Sequence, residues 1–242
     1  MRPRDILSGV AAGLFILSLP VLFGTITVRW MVSDTGWYRA GFARYGVSER
    51  TGIPPDELAD AAQKLSDYLL LRQDSVDIQV RIGGEARPLF NEREILHMRD
   101  VQNILRVVYD LQTASAVYAL LYLAASRVWL RERYRPDLGS KLRLGGAITL
   151  GMFGVAGTLS LLDFGELFLL FHLALFDNDL WMLDPARDNL IMMFPQGFWY
   201  DSAMRLALTS GAQAAGAVVV GSLLARTRPI TSPSPKPSGG DR

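Results

Sequence analysis

Apolar residues in this chain gather into four long blocks set between polar stretches. The first runs from about Ile6 to Val28 and carries no charge; the others run from about Val107 to Leu130, Leu144 to Leu162 and Leu206 to Leu224. Each is near the roughly 20 residues a helix needs to cross ~30 Å of hydrocarbon. The first block exceeds the ~7–15 residue apolar region of a secretory signal and no A-x-A cleavage site follows it, so it is read as a retained span. The third and fourth are rich in Gly, Ala and Ser, as close helix packing in lipid prefers.

Charge orients these spans. Arg127, Arg131, Arg133, Arg135, Lys141 and Arg143 cluster between spans two and three, Arg2 and Arg4 precede span one, and Arg226 and Arg228 follow span four. The stretch 163–201 holds one basic residue, Arg187, among many acids. The positive-inside rule then puts both termini and the basic loop 131–143 in the cytoplasm, with segments 31–106 and 163–202 outside. The expected architecture is an all-α membrane protein. It has a single membrane domain over 1–226, four transmembrane helices, and an outward-facing cap of helices and a short β-hairpin. The Pro/Ser/Gly stretch 227–242 reads as a disordered cytoplasmic tail.

Periodicity fills in the cap. Trp37 to Tyr45 predicts a short amphipathic helix near the membrane surface. From Ile53, Pro54 and Pro55 suit a helix start, and Leu58, Ala62, Leu65 and Leu69 share a face. DIQVRI, Gly83-Gly84 and ARPLF predict a hairpin. Asn91 is a good N-cap with Glu94 at the capping-box position, and nothing breaks the pattern from Glu92 into span two, so one continuous helix is expected. LFLLFHLALF after Asp163 is too short to span and suits an interfacial or re-entrant element. Trp181, Phe194, Phe198, Trp199 and Tyr200 read as an aromatic belt at the membrane boundary.

Half of the 242 residues are hydrophobic, and there is no Cys, which removes disulfides, thiolate metal sites and Cys nucleophiles. There are only two histidines. His97 precedes span two by about ten residues, ~15 Å at 1.5 Å per residue, and so sits in or just above the headgroup zone. His172 lies in the short apolar run, so both fall at one outer surface. Each has a plainer reading: His97 as a solvated surface residue, His172 as a core residue satisfied by a backbone carbonyl. An ionisable group in membrane-facing sequence is costly, which favours function. The acids at 177, 179, 184 and 188 also suit turns and caps. A metal site lacks H-E-x-x-H or a close His pair. A serine nucleophile lacks G-x-S-x-G or S-x-x-K. A transporter would show interrupted helices. No phosphate loop or nucleic-acid signature is present.

Two blocks carry a resemblance. They are Phe90 through Asn91-Glu92-Arg93-Glu94-Ile95-Leu96-His97-Met98-Arg99-Asp100-Val101, and Phe171-His172 with Phe176, Asn178, Trp181, Leu183-Asp184-Pro185, Asp188, Leu190-Ile191, Phe194-Pro195 and Phe198. In these, and in the order of its spans, the chain resembles the lipoprotein intramolecular transacylase family, Lit, of bacterial membranes. The resemblance implies an acyltransferase of the cell membrane acting on a diacylglyceryl-modified lipoprotein. An acyl chain passes from the sn-2 glyceryl oxygen to the α-amino group of the same lipoprotein's N-terminal cysteine, giving a lyso-form product. It further implies His97 and His172 as the essential histidines.

That reaction exchanges an ester for an amide and needs no ATP or cofactor. Nucleophile and ester share one substrate, so positioning does much of the work. A base titrating near neutrality suits an amine of pKa ~8, and His qualifies without perturbation. The oxyanion needs a donor, which a second His or Arg93 supplies. Glu92, Arg93, Glu94, Asp100, Asp184 and Asp188 are candidates to orient the imidazoles or grip the amine. Asn178 and Trp181 belong to the same candidate substrate site, with the apolar surface around Phe171 and Trp181 holding acyl chains. Two other classes stay open: a lipid hydrolase, metal-assisted or not, using the same residues, and a non-catalytic membrane scaffold or lipoprotein-binding protein. A joint histidine site requires the imidazoles within ~10 Å of each other.

Overall fold

The computed structural model describes residues 3–130 and 134–226. In chain order they form α1 (Pro3–Ser33), α2 (Thr35–Arg44), α3 (Val47–Thr51), α4 (Pro55–Leu69), β1 (Gln79–Ile82), β2 (Glu85–Pro88), α5 (Glu92–Leu130), α6 (Tyr134–Leu162), α7 (Phe164–Leu175), α8 (Asn189–Met193) and α9 (Gln196–Ala225). Four of these helices, α1, α5, α6 and α9, are long and apolar enough to cross a membrane. The protein is an all-α membrane protein with one small two-stranded sheet.

The four long helices pack through small residues and a few polar contacts. A Cβ built on Gly139 of α6 would stand 2.5 Å from the Gly221 carbonyl of α9, and one on Gly221 would stand 2.6 Å from the Gly139 carbonyl. Gly146 meets the Ala214 carbonyl in the same way, so α6 and α9 touch backbone to backbone. Lipid supplies no hydrophobic drive between helices, and close approach of this kind is what holds them. Thr27 of α1, fully buried, accepts hydrogen bonds from Ser210 (3.1 Å) and Gln213 (2.9 Å) of α9. Phe15 of α1 stacks on Tyr122 of α5 at 4.5 Å.

The cap has its own core. Tyr38, Phe42, Leu58, Leu65, Val80, Leu89, Met98, Met193, Phe194 and Phe198 are buried together. Burying such a side chain contributes roughly 1.5–3 kcal/mol. The hairpin pairs Ile82 with Glu85 across Gly83 (φ 62°) and Gly84 (φ 89°), and two successive positive φ values are the geometry that favours the Gly-Gly turn. Asp34 caps α2 by accepting from the Trp37 N–H at 3.2 Å, and it accepts from Arg205 of α9 at 2.7 Å. The Arg205 guanidinium lies over Trp30 (4.1 Å) and Trp37 (4.5 Å). This cluster ties the start of the cap to α9.

Three expectations need correction. The basic segment is not a loop throughout: residues 134–143 are the first turns of α6, and residues 131–133 lie outside those described. The helix of the fourth span begins ahead of its apolar block, at Gln196, and its first turns belong to the cap, because Phe198 packs into the cap core rather than into lipid. Phe194 and Phe198 are therefore core residues, not belt residues; Trp199 is exposed as a belt residue would be. The short helices α3 and α8, five residues each, are too short to show a period. The tail 227–242 lies outside the described residues.

Candidate active site

Local sequence builds the first wall of the site. Asn91 Oδ1 accepts the Glu94 N–H (3.1 Å) while Glu94 Oε2 accepts the Asn91 N–H (2.8 Å), a reciprocal capping box that starts α5. Arg93, His97 and Asp100 follow at i, i+3 and i+4 spacings on that helix. The second wall is α7, capped by Asp163, whose side chain accepts the Glu166 N–H at 3.0 Å. Leu170, Phe171, Leu173 and Leu175 of α7 are exposed, whereas His172 is the buried residue of the helix. An apolar helix that turns its one ionisable ring inward suits a position along the bilayer surface.

The two histidines meet. Their ring centroids are 6.3 Å apart with 31° between the planes, and the residues are 7% and 8% exposed. Phe176 packs on both rings, 5.1 Å from His97 and 5.6 Å from His172. Trp181 lies 4.9 Å and Phe168 4.3 Å from His172. His172 Nδ1 stands 2.7 Å from the Phe168 carbonyl one turn earlier. A carbonyl only accepts, so Nδ1 carries the proton and Nε2 the lone pair. The backbone-carbonyl reading of His172 and the two-histidine reading thus coexist, each using a different ring nitrogen. Burial lowers the His172 pKa from its ordinary 6.5, partly opposed by the Phe168 carbonyl. His97 Nδ1 is buried with no hydrogen-bond partner. Buried nitrogens are rarely left so, which makes this atom a candidate for a catalytic contact.

The acidic turn after His172 is bound to α5 at several points. Arg93 donates from Nη2 to the Asp179 carbonyl, with Asp179 Oδ2 at 3.7 Å, and its Nε is buried without a partner. Asn178 donates to Asp100 Oδ2 at 2.9 Å. Deeper, Glu94 and Asp188 are each 1% exposed. Glu94 Oε1 accepts the Leu190 N–H at 2.6 Å, and Asp188 accepts from Asn91 Nδ2 (2.8 Å) and from the Asp184 N–H (2.7 Å). Asn189 Nδ2 donates to the Leu89 carbonyl at 2.6 Å. This polar lock fixes residues 176–190 against the start of α5. A cavity of about 220 Å³ opens beside Phe176, lined by Asp100, Asn103, Ile104, Leu175, Asp177 and Asn178.

The candidate residues therefore separate. His97 and His172 come together, and Trp181 lies against His172. Arg93, Asp100 and Asn178 form the nearby rim. Glu94 and Asp188 belong to the lock. Asp184 is exposed and shapes its turn by accepting the Ala186 N–H at 2.9 Å. Glu92 is exposed at the start of α5 and is not brought to either ring. Sequence reasoning did not single out the Phe168 carbonyl, Phe176 as the ring that packs beside both histidines, or Asn189. The i−4 spacing of Phe168 to His172 was the available signal for the first.

Comparison with known proteins follows the same outline. Residues 13–199 match the family described as lipoprotein intramolecular transacylase Lit. An uncharacterized protein of Aquifex aeolicus (strain VF5) is 28% identical over 121 residues, covering 50% of this chain. The chain spans about half the length of that relative, 51%. The in meso structure of the membrane integral lipoprotein intramolecular transacylase Lit from Bacillus cereus superposes with a TM-score of 0.77 at 19% identity. That match covers 91% of this chain and 96% of that one. A structure of the same Bacillus protein with one histidine changed to arginine gives 0.71 at 19% identity over 91% and 93%. These likenesses describe the fold; the sequence match over 13–199 decides the kinship, and the chain belongs to the lipoprotein intramolecular transacylase family.

Proposed function

We propose that this protein is an acyltransferase that moves an acyl chain within a diacylglyceryl-modified lipoprotein, from the sn-2 oxygen to the α-amino group of the N-terminal cysteine. The observation that carries the reading is the meeting of the chain's only two histidines, ring centroids 6.3 Å apart, one with a fixed tautomer and the other with an unpartnered buried nitrogen. In this reading the neutral amine attacks the ester carbonyl. His172 Nε2 accepts the proton released from nitrogen, because its Nδ1–H is already committed to Phe168. His97 N–H donates a hydrogen bond to the oxyanion, and the His172 imidazolium returns its proton to the sn-2 oxygen as the C–O bond breaks. One ester bond is lost, one amide bond is formed, and the proton taken from nitrogen is the one given to oxygen. The apolar rings of Phe171, Phe176 and Trp181 hold acyl chain, and the Asp100 rim draws the ammonium form of the amine toward the site.

The orientation belongs to the same proposal. Both termini face the cytoplasm, and the cap and histidines lie at the outer leaflet surface. Single-cysteine labelling reads this without background, since the chain has no Cys. The activity is tested by mass spectrometry of lipoprotein N-termini from cells carrying wild type, His97→Ala or His172→Ala. Lyso-form product is expected only with wild type. Lyso-form product from either variant removes that histidine from the chemistry, and loss of the sn-2 chain without N-acylation assigns the site to a hydrolase instead.

A further inference from the structure

A second polar opening lies in the groove between α1 and α5 and shares no lining residue with the histidine site. It measures about 350 Å³ and is lined by Arg29, Trp30, Ser33, Leu70, Arg72 and Gln112, with Ile26 at its apolar edge. Arg29 sits four residues before the end of α1, ~6 Å along the axis, where the helix leaves its apolar stretch for the cap. By the span bounds read from the sequence, which end at Val28, that is the edge of the hydrocarbon, next to the headgroups.

The charges around the groove are unevenly satisfied. Arg72 shares its charge with Asp67 at 2.8 Å. Arg29 has no carboxylate partner among the described residues; its guanidinium rests on the Tyr109 ring at 4.9 Å. Gln112 Oε1 is buried with no hydrogen-bond partner. Trp30 is half exposed and held on its other side by Arg205 at 4.1 Å, so the wall is stiff. Ser33 spends its hydroxyl proton on the Trp30 carbonyl at 2.7 Å. The groove thus offers one uncompensated cation and one buried acceptor in need of a donor, beside the exposed apolar side chain of Ile26.

We infer that this groove binds the headgroup of an anionic glycerophospholipid, with the phosphate on Arg29 and a headgroup hydroxyl donating to Gln112 Oε1. A phosphate oxygen gives Arg29 the charge-assisted partner that it lacks. The hydroxyl answers the orphaned acceptor, and acyl chains run down the apolar surface from Ile26. A free phosphate satisfies the first contact alone. The inference stands apart from the acyl-transfer reading, because none of these groups lies at the histidines.

The test uses the full chain in detergent micelles, titrated with phosphatidylglycerol, phosphatidylcholine or free glycerol 3-phosphate and read by native mass spectrometry. Phosphatidylglycerol is expected to bind specifically, and Arg29→Gln to weaken it about tenfold, the loss expected for one charge-assisted contact. Arg29→Lys should retain part of the affinity, and Gln112→Leu should weaken phosphatidylglycerol binding without altering phosphatidylcholine. The melting temperature of each variant in lipid-free detergent checks folding. If Arg29→Gln does not fold, the volume-preserving Gln112→Leu decides the question. Equal binding of both lipids, or unchanged binding in the variants, overturns the inference. Competition by glycerol 3-phosphate at the same concentration as the lipid assigns a free-anion site and overturns the lipid.

Discussion

Replacing Glu94 by Gln tests the polar lock that seats the His172 segment on α5. Each Glu94 oxygen accepts one buried backbone N–H, from Leu190 at 2.6 Å and from Asn91 at 2.8 Å. Gln keeps the shape but has one oxygen, so one N–H must face an NH₂ group. Losing a hydrogen bond to a charged acceptor costs about 1.5–3 kcal/mol, and Glu94→Ala, which strands both N–H groups, about 3–6. Asp188→Asn disturbs the same network through Asn91 and Asp184, so the double variant should depart from additivity by about 0.5–3 kcal/mol. Reversible unfolding in mixed SDS micelles, followed by tryptophan fluorescence, measures all three. Trypsin should also cut faster after the exposed Arg187 in Glu94→Gln, because that residue lies in the released segment. A Glu94→Gln protein within ~0.5 kcal/mol of wild type, the range of an ordinary surface change, refutes the lock.

Gly139→Ala should separate α6 from α9, because its Cβ meets backbone atoms at 2.5 and 2.6 Å that have no rotamer to yield; overpacking of this kind costs about 1–3 kcal/mol. Gly151→Ala, with nothing within 4 Å, should be neutral or stabilising by up to ~1 kcal/mol, and parallel melting curves compare the two. Because burial lowers the His172 pKa, the unfolded chain binds the proton more readily than the folded one once the pH drops below 6.5. Stability should therefore fall as pH falls from 6.5 toward the depressed folded value, and the slope attributable to this ring should vanish in His172→Ala. The same depression should keep His172 in its base form at pH 6.5, so the acid limb of the rate profile should follow the substrate amine, of pKa ~8, rather than this ring. Phe176→Ala removes the ring that packs against both histidines at a cost of about 3 kcal/mol, and should lower the rate of lyso-form production more than Phe176→Leu does.

Wherever a signal was local, sequence reasoning reached the structure. Asn91 and Glu94 announced the start of α5, and Pro54-Pro55 that of α4. Gly83-Gly84 announced the hairpin. Four apolar blocks became four long helices because lipid leaves a spanning backbone few other options. Tertiary overrides produced the misses. The aromatic cluster 194–200 looks the same in sequence whether it faces headgroups or a cap core, and only the packing of Phe194 and Phe198 against Tyr38 and Phe42 decides. Glu94 and Asp188 were grouped with the histidines by proximity in the motif, yet their oxygens hold backbone N–H groups and Asn91. That distinction needs coordinates, since it rests on contacts between segments far apart in the chain. The joint approach of His97 and His172 is of the same kind. Gln102, which holds the Tyr68 and Gln73 carbonyls at 2.9 and 3.1 Å, gave no sequence signal at all.

The glycine seam between α6 and α9 bears on more than those two helices. Residues 163–195, which carry His172, leave from the end of α6 and return at the start of α9. Both footings of that strap stand on α6 and α9, whose backbones touch at Gly139–Gly221 and Gly146–Ala214 and which stay close up to Gly157, where an added Cβ would stand 3.5 Å from Ala207. His97 stands on α5, which packs mainly on α1 and only sparsely on α6. Because α1 is itself joined to α9 through Thr27 and the adjoining Asp34, the two imidazoles are moored to one another through α1 as well as through the polar lock.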